Sequence, residues 1–185
     1  TKVISKQLLP IYDKPMIYYP LTVLMHCNIK DILIITTPCD QPLFKKLLEN
    51  GSQWGIKIEY ETQARPEGIA QAFILAKEFL NGSPSTLILG DNIFFGHGLS
   101  DLLLSDSYKN SGAQIYGYHV SNPERYGVID FNKNGTVKSI IEKPINPPSN
   151  YAVTGLYFLD NSASDRAKDI LPSARGELEI TTLLN

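Results

Sequence analysis

Thr86-Leu87-Ile88-Leu89 is an apolar run too short for a helix, and it lacks the alternation of a strand with one wet face, so it reads as a strand buried on both faces. A second such segment, Ile32 to Thr36, and an alternating one, Ile56 to Tyr60, precede it, and stretches of helical spacing separate the three. One of these stretches opens at Asp40-Pro42 and stops at Gly51; the other runs from Ile69 to about Leu80. Strand and helix in turn predict right-handed βαβ crossovers and a parallel sheet. In such a sheet ligands bind where the strands end, and Gly90-Asp91 stands at the carboxyl end of the third one. Asp91 can hold a hard cation such as Mg²⁺ against a phosphate, or it can simply cap a turn or the helix after Gly98.

Beyond Asp91 the pattern changes. Leu99 to Tyr108 has helical spacing and Ala113 to Val120 reads as a strand. Gly127 to Phe131 and Thr136 to Glu142 form a predicted hairpin around Asn132-Lys133-Asn134-Gly135. A strand over Tyr151 to Leu159, a helix from Ser162 to Ile170 and another opening near Glu177 complete the chain. Upstream, Pro15 suits the first turn of a helix carrying Met16, Tyr19, Val23, Leu24 and Cys27, which Pro20 bends or delays. The expectation is a single α/β domain over 1–185 with a mixed, mainly parallel central sheet flanked by helices. The chain opens at Thr1 and closes at Asn185 within a predicted helix, so both ends read as cuts.

A net charge of −2 offers no broad positive field for nucleic acid, so an anionic ligand must be met by a few placed cations. Cys27 and Cys39 form no C-x-x-C pair and read as buried, reduced thiols of a cytoplasmic protein. His26, His97 and His119 lack ligand spacing. No apolar run approaches the ~18 residues of a membrane span, and no signal-peptide pattern opens the chain.

Several residues can carry chemistry. Lys6 enters the apolar body on a loop. Gln63 follows a strand at the sheet edge that Asp91 occupies, and its amide has the donor and acceptor needed to read a pyrimidine, with Gly68 allowing close backbone approach. An ordinary polar turn is the alternative. Glu142 and Lys143 end a strand pointing to opposite faces. Arg125-Tyr126-Gly127 and Ser173-Ala174-Arg175-Gly176-Glu177 are Gly-marked segments with a cation. Neither a dinucleotide fingerprint nor a P-loop is present.

Taken in order, Lys6-Gln7-Leu8-Leu9-Pro10, Asp13-Lys14-Pro15-Met16, Leu89-Gly90-Asp91-Asn92, Glu124-Arg125-Tyr126-Gly127, Glu142-Lys143-Pro144, Asn150 to Tyr157 and Ser173 to Thr181 resemble the bacterial sugar-phosphate nucleotidylyltransferases over nearly the whole chain. The resemblance implies a Rossmann-like nucleotidyltransferase fold and transfer of a thymidylyl group from dTTP to glucose 1-phosphate with release of pyrophosphate, a step of dTDP-rhamnose synthesis. It implies Mg²⁺ on Asp91, Lys6 at the triphosphate, and Gln63 and Gly68 at the base. Tyr126, Gly127, Glu142, Val153 and Tyr157 would line the hexose site, with Lys143 on the sugar phosphate and Arg175 near the phosphates. A homotetramer with feedback by the pathway product is implied as well. The family's Gly-rich loop has no counterpart before Lys6, and its second metal-binding aspartate belongs beyond Thr181, so these 185 residues by themselves are expected not to turn over. A metal-dependent glycosyltransferase would want a second acid where Ile93 stands, and a non-catalytic nucleotide-sugar sensor would not need both Lys6 and Lys143.

Overall fold

A computed structural model describes residues 4–106 and 111–185, residues 105 and 106 by their backbone alone. A 3-10 turn, Lys6–Leu8, leads into β1 (Pro10–Ile11) and β2 (Lys14–Pro15), which pair antiparallel. Pro15 therefore sits in a short ladder, not in a helix; Met16 N–H is drawn back to Leu9 O at 2.9 Å and Ile17 N–H to Gln7 O at 2.9 Å. Helix α1 (Tyr18–His26) starts only afterwards, with Pro20 in its first turn, where the missing N–H costs nothing.

Next come β3 (Asp31–Thr36), α2 (Gln41–Leu48) and β4 (Lys57–Thr62), the predicted βαβ unit, with β3 and β4 parallel from Asp31↔Lys57 to Thr36↔Thr62. Ile32, Ile34, Phe44, Leu48, Ile56 and Ile58 form one core cluster with α1. The helix expected from Ile69 to Leu80 is broken at Ala76 into α3 (Gln71–Leu75) and α4 (Lys77–Leu80).

Strand β5 (Ser85–Ile88) pairs with β9 (Tyr151–Leu159), antiparallel. Between them in the chain lie α5 (Leu99–Asp106), β6 (Ala113–His119), β7 (Gly127–Phe131) and β8 (Val137–Glu142). The last two positions of the predicted helix Leu99 to Tyr108 lie outside the described residues. Long β9 carries β6 along one side of the sheet and both β5 and β7 elsewhere, and β7 and β8 close the predicted hairpin. Helices α6 (Ala163–Lys168) and α7 (Ile180–Leu184) pack with α3 on β9. The α/β class is as expected, but among the described strands parallel pairing is confined to β3 and β4; the five-stranded sheet is antiparallel.

Every residue from Ser85 to Gly90 is half-buried. Among the described strands β3 pairs only with β4 and β5 only with β9, and a cleft of about 1730 Å³ lies between β3 and β5, lined by Leu33 and Ile35 on one side and by Leu87, Ile88 and Leu89 on the other. At one end it reaches Gln7, Gln63, Gly68 and Asp91. Among the described residues no helix is long and apolar enough to cross a membrane.

Of the two thiols only Cys27 is buried, and burial pushes it up to about 11; Cys39 is exposed. A thiolate is the reactive species. Treatment of the native protein with a disulfide reagent at pH 8 is therefore expected to modify Cys39 and spare Cys27 until denaturant is added, with C39S removing the fast component and C27S leaving it.

Candidate active site

Asp91 is positioned by its neighbours in the loop after β5. Leu89 N–H donates to Gly155 O at 2.8 Å, extending the β5–β9 pairing past Ile88. Asn92 then clamps the turn: its Oδ1 accepts Gly155 N–H at 3.1 Å, and its Nδ2 donates to Asp91 Oδ1 at 3.1 Å. A Cβ on Gly155 would lie 2.6 Å from Leu89 Cδ1 and 2.8 Å from Asn92 Oδ1, so the loop lies flat on β9 only because residue 155 has no side chain.

Lys6 reaches the same place from near the start of the described chain. Ile17 N–H holds Gln7 O, and the Gln7 side chain lies against Gly90, which brings the Lys6 ammonium into an ion pair with Asp91 Oδ2. Burial alone would raise the Asp91 carboxyl, but the Lys6 ammonium and then the Asn92 amide hold it below the usual carboxylate range. Asp91 is thus an anion at neutral pH, with 27% of its side chain still open to solvent.

Gln63 directly follows β4, its N–H bonded to Thr36 O at 2.8 Å. Its Nε2 donates to Gly68 O at 3.3 Å and to Gln71 Oε1 at 2.5 Å, and Gln71 in turn donates to Glu67. Gly68 adopts φ +105°, and a Cβ there would overlap the backbone of Leu178. Leu178 N–H donates to Glu67 O at 2.7 Å and Ala70 N–H to Leu178 O at 3.1 Å, so the loop from Gln63 is stitched to the segment that carries Arg175 and Glu177. Glu177 lines the cleft together with Gln63, Gly68 and Asp91.

A second group forms where β7 begins and β8 ends. Gly127 pairs with Glu142, and Lys143 N–H donates to Tyr126 O at 2.9 Å. Lys143 lies just past the strand at φ +40°, so the strand alternation that would send Glu142 and Lys143 to opposite faces stops at Glu142. A Cβ on Gly127 would come within 2.8 Å of Thr181 Cγ2 and 3.5 Å of Glu142 Oε2. Glu142 Oε2 accepts from Thr181 Oγ1 at 3.3 Å, while Oε1 accepts from Arg175 Nη1 at 3.2 Å. Arg175 also pairs with Glu177 at 2.7 Å and Glu179 at 3.6 Å. Tyr157 is buried on β9, and burial, then the Glu142 charge, push its hydroxyl up to about 12, leaving it a neutral donor. Val153 is half-buried on the same strand, packed against the cluster that contains Tyr157.

The structure thus joins Lys6 to Asp91, Gln63 to Gly68, Gly127 and Arg175 to Glu142, and Tyr126 to the Lys143 backbone. Lys143 is exposed and makes no ion pair with another described residue. Arg175 contacts carboxylates of its own chain, and Glu179 and Thr181, buried behind it, carry no role in the sequence reading although Glu179-Ile180-Thr181 closes one of the quoted motifs. No group of three or more His, Cys, Asp or Glu side chains able to hold a metal ion exists among the described residues. A lone carboxylate beside a lysine suits a cation that takes most of its ligands from substrate phosphates and water, as Mg²⁺ does, and not a zinc cage.

Residues 1–185 match the family described as nucleotidyl transferase. A glucose-1-phosphate thymidylyltransferase of Xanthomonas campestris pv. campestris is 58% identical over 183 residues, 99% of this chain and 62% of that protein. One from Neisseria meningitidis serogroup A is 54% identical, over 99% of this chain and 64% of its own length. The chain therefore spans less than two thirds of these relatives. A crystal structure of a Bacillus anthracis protein in complex with a sucrose superposes with a TM-score of 0.89 at 38% identity, covering 99% of this chain and 74% of that one. A UDP-glucose pyrophosphorylase complexed with UDP-glucose shares the fold, with a TM-score of 0.84 at 24% identity.

Proposed function

Because this chain belongs to the nucleotidyl transferase family, we propose that its protein transfers a thymidylyl group from dTTP to glucose 1-phosphate, releasing pyrophosphate, and that residues 1–185 form one nucleotidyltransferase unit of it. The observation that carries this reading is the Lys6–Asp91 pair at the end of a cleft that Gln63 and Gly68 also line. A cation paired with an anion, and an amide lining the same cleft, are the complement of what a nucleoside triphosphate presents, which supports this reading. Identities of 54–58% to two thymidylyltransferases point to dTTP and glucose 1-phosphate as the substrates.

The nucleophile is a phosphate oxygen already ionised, so no general base is required, and rate comes from alignment and charge neutralisation. Asp91 would hold Mg²⁺, which supplies neutralisation of the triphosphate when bound. Lys6 leaves Asp91 for a phosphate oxygen, and Lys143, free of any ion pair with a described residue, meets the incoming sugar phosphate. Gln63 and Gly68 hold the base. Glu142, braced by Arg175 and Thr181, accepts hexose hydroxyls beside Gly127, Tyr126, Tyr157 and Val153. A cytoplasmic, homotetrameric enzyme of nucleotide-sugar biosynthesis is the setting we assign.

The deciding assay measures pyrophosphate from dTTP, glucose 1-phosphate and Mg²⁺ with the full-length protein. Pyrophosphate with dTDP-glucose is the expected result. Release of a nucleoside diphosphate would replace this reading with glycosyl transfer, and tight binding without release would replace it with a sensor.

A further inference from the structure

Glu179 is one of two polar residues buried among the described ones, and Thr181 is the other. A carboxylate at that depth persists only with compensation. Ser173 Oγ donates to Glu179 Oε1 at 2.8 Å, and Arg175 Nη1 stands 3.6 Å from the same oxygen. That Nη1 is also the group that holds Glu142 Oε1 at 3.2 Å, so the buried Glu179 and the half-buried Glu142 share one guanidinium nitrogen. Ser173 ties the arrangement to the loop: its Oγ accepts Arg175 N–H at 3.2 Å, its O accepts Gly176 N–H at 2.8 Å, and its N–H reaches Glu177 O at 2.9 Å. Glu179 is also the residue from which α7 starts, and Thr181, in the first turn of that helix, supplies the hydroxyl on the other oxygen of Glu142.

We propose that Glu179 is a positioning residue for the sugar-phosphate half of the site: it anchors Arg175 from behind and seats the start of α7, and through these two supports it fixes the direction in which Glu142 faces the hexose. The inference rests on the function proposed above. Glu179 touches no substrate itself. Without its charge Arg175, more than a third exposed, is free to follow Glu142 and Glu177 outward, and Glu142 loses its fixed orientation.

The test uses E179Q and S173A in the full-length protein, with separate KM values for glucose 1-phosphate and dTTP and a thermal melt for each variant. Gln keeps the shape and the acceptor for Ser173 but removes the charge that holds Arg175. E179Q is expected to raise KM for glucose 1-phosphate about tenfold while KM for dTTP stays within about twofold. S173A is expected to shift the same constant in the same direction by a smaller factor, and it carries the test if E179Q does not fold. Buried acid acting only on stability would lower the melting temperature and leave the two constants moving together; that result, or an unchanged sugar-phosphate KM in both variants, overturns the inference alone. A wild-type protein that releases no pyrophosphate overturns the parent reading and this one with it.

Discussion

D91N in the full-length protein is expected to lower kcat/KM by about a thousandfold, because it removes the one anion that faces the Lys6 ammonium and would hold the metal. The change is isosteric, and Leu89 N–H and Asn92 Oδ1 continue to pin the loop through Gly155, so far-UV circular dichroism should stay close to wild type and the melting temperature should fall only by the contribution of the Lys6 pair. Chelation of divalent cations is expected to silence the wild type to the level of the variant. D91N with near-wild-type turnover would remove Asp91 from the mechanism. The same carboxyl sets a pH expectation. Its folded-state value is depressed, so the stability from its pairing is present above the ordinary carboxylate value of about 3.9 and is lost as the pH falls through the lower folded value. The Lys6–Asp91 pair should therefore contribute evenly from pH 8 to about 5. A loss of that contribution near pH 6, read as the wild-type-minus-D91N difference in melting temperature, would contradict the environment assigned to it.

G68A is expected to be the most damaging single methyl in the described chain. Residue 68 sits at φ +105°, a conformation that costs an L-residue about 1–3 kcal/mol, and the added Cβ meets the Leu178 backbone, which cannot swing aside as a side chain could. Relief requires the Gln63–Gln71 loop to part from the Leu178 segment, which breaks the Leu178–Glu67 and Ala70–Leu178 hydrogen bonds. The variant should melt several degrees lower and bind dTTP at least tenfold more weakly. G55A is the control: residue 55 has φ +70° with nothing within 4 Å of its added Cβ, so only the backbone strain is paid there. Equal effects of the two substitutions would show that the contact with Leu178 is not what matters at Gly68.

Local order was legible wherever it depends on near neighbours in the chain. The β3–α2–β4 unit, the hairpin around Asn132 to Gly135 and the long β9 all lie within a residue or two of where apolar spacing and turn chemistry put them. Pro15 was misread because a proline suits both the first turn of a helix and a bridge, and only the pull of Leu9 O and Gln7 O on the following amides selects the bridge. Cys39 was misread because nothing adjacent to it says whether another element covers it.

The order of residues alone determined that this is an α/β chain and that Asp91 follows an apolar strand, properties of spacing and composition carried by contacts a few residues long; the family came from the likeness of its motifs to those of nucleotidyl transferases. Tertiary structure decided the rest. It alone set Lys6 against Asp91 from 85 positions away, drew Arg175 in among Glu142, Glu177 and Glu179, and buried Glu179 behind them. Which charges meet depends on where the strands place distant loops, and since charges attract or repel by distance in space, their spacing along the chain cannot predict it.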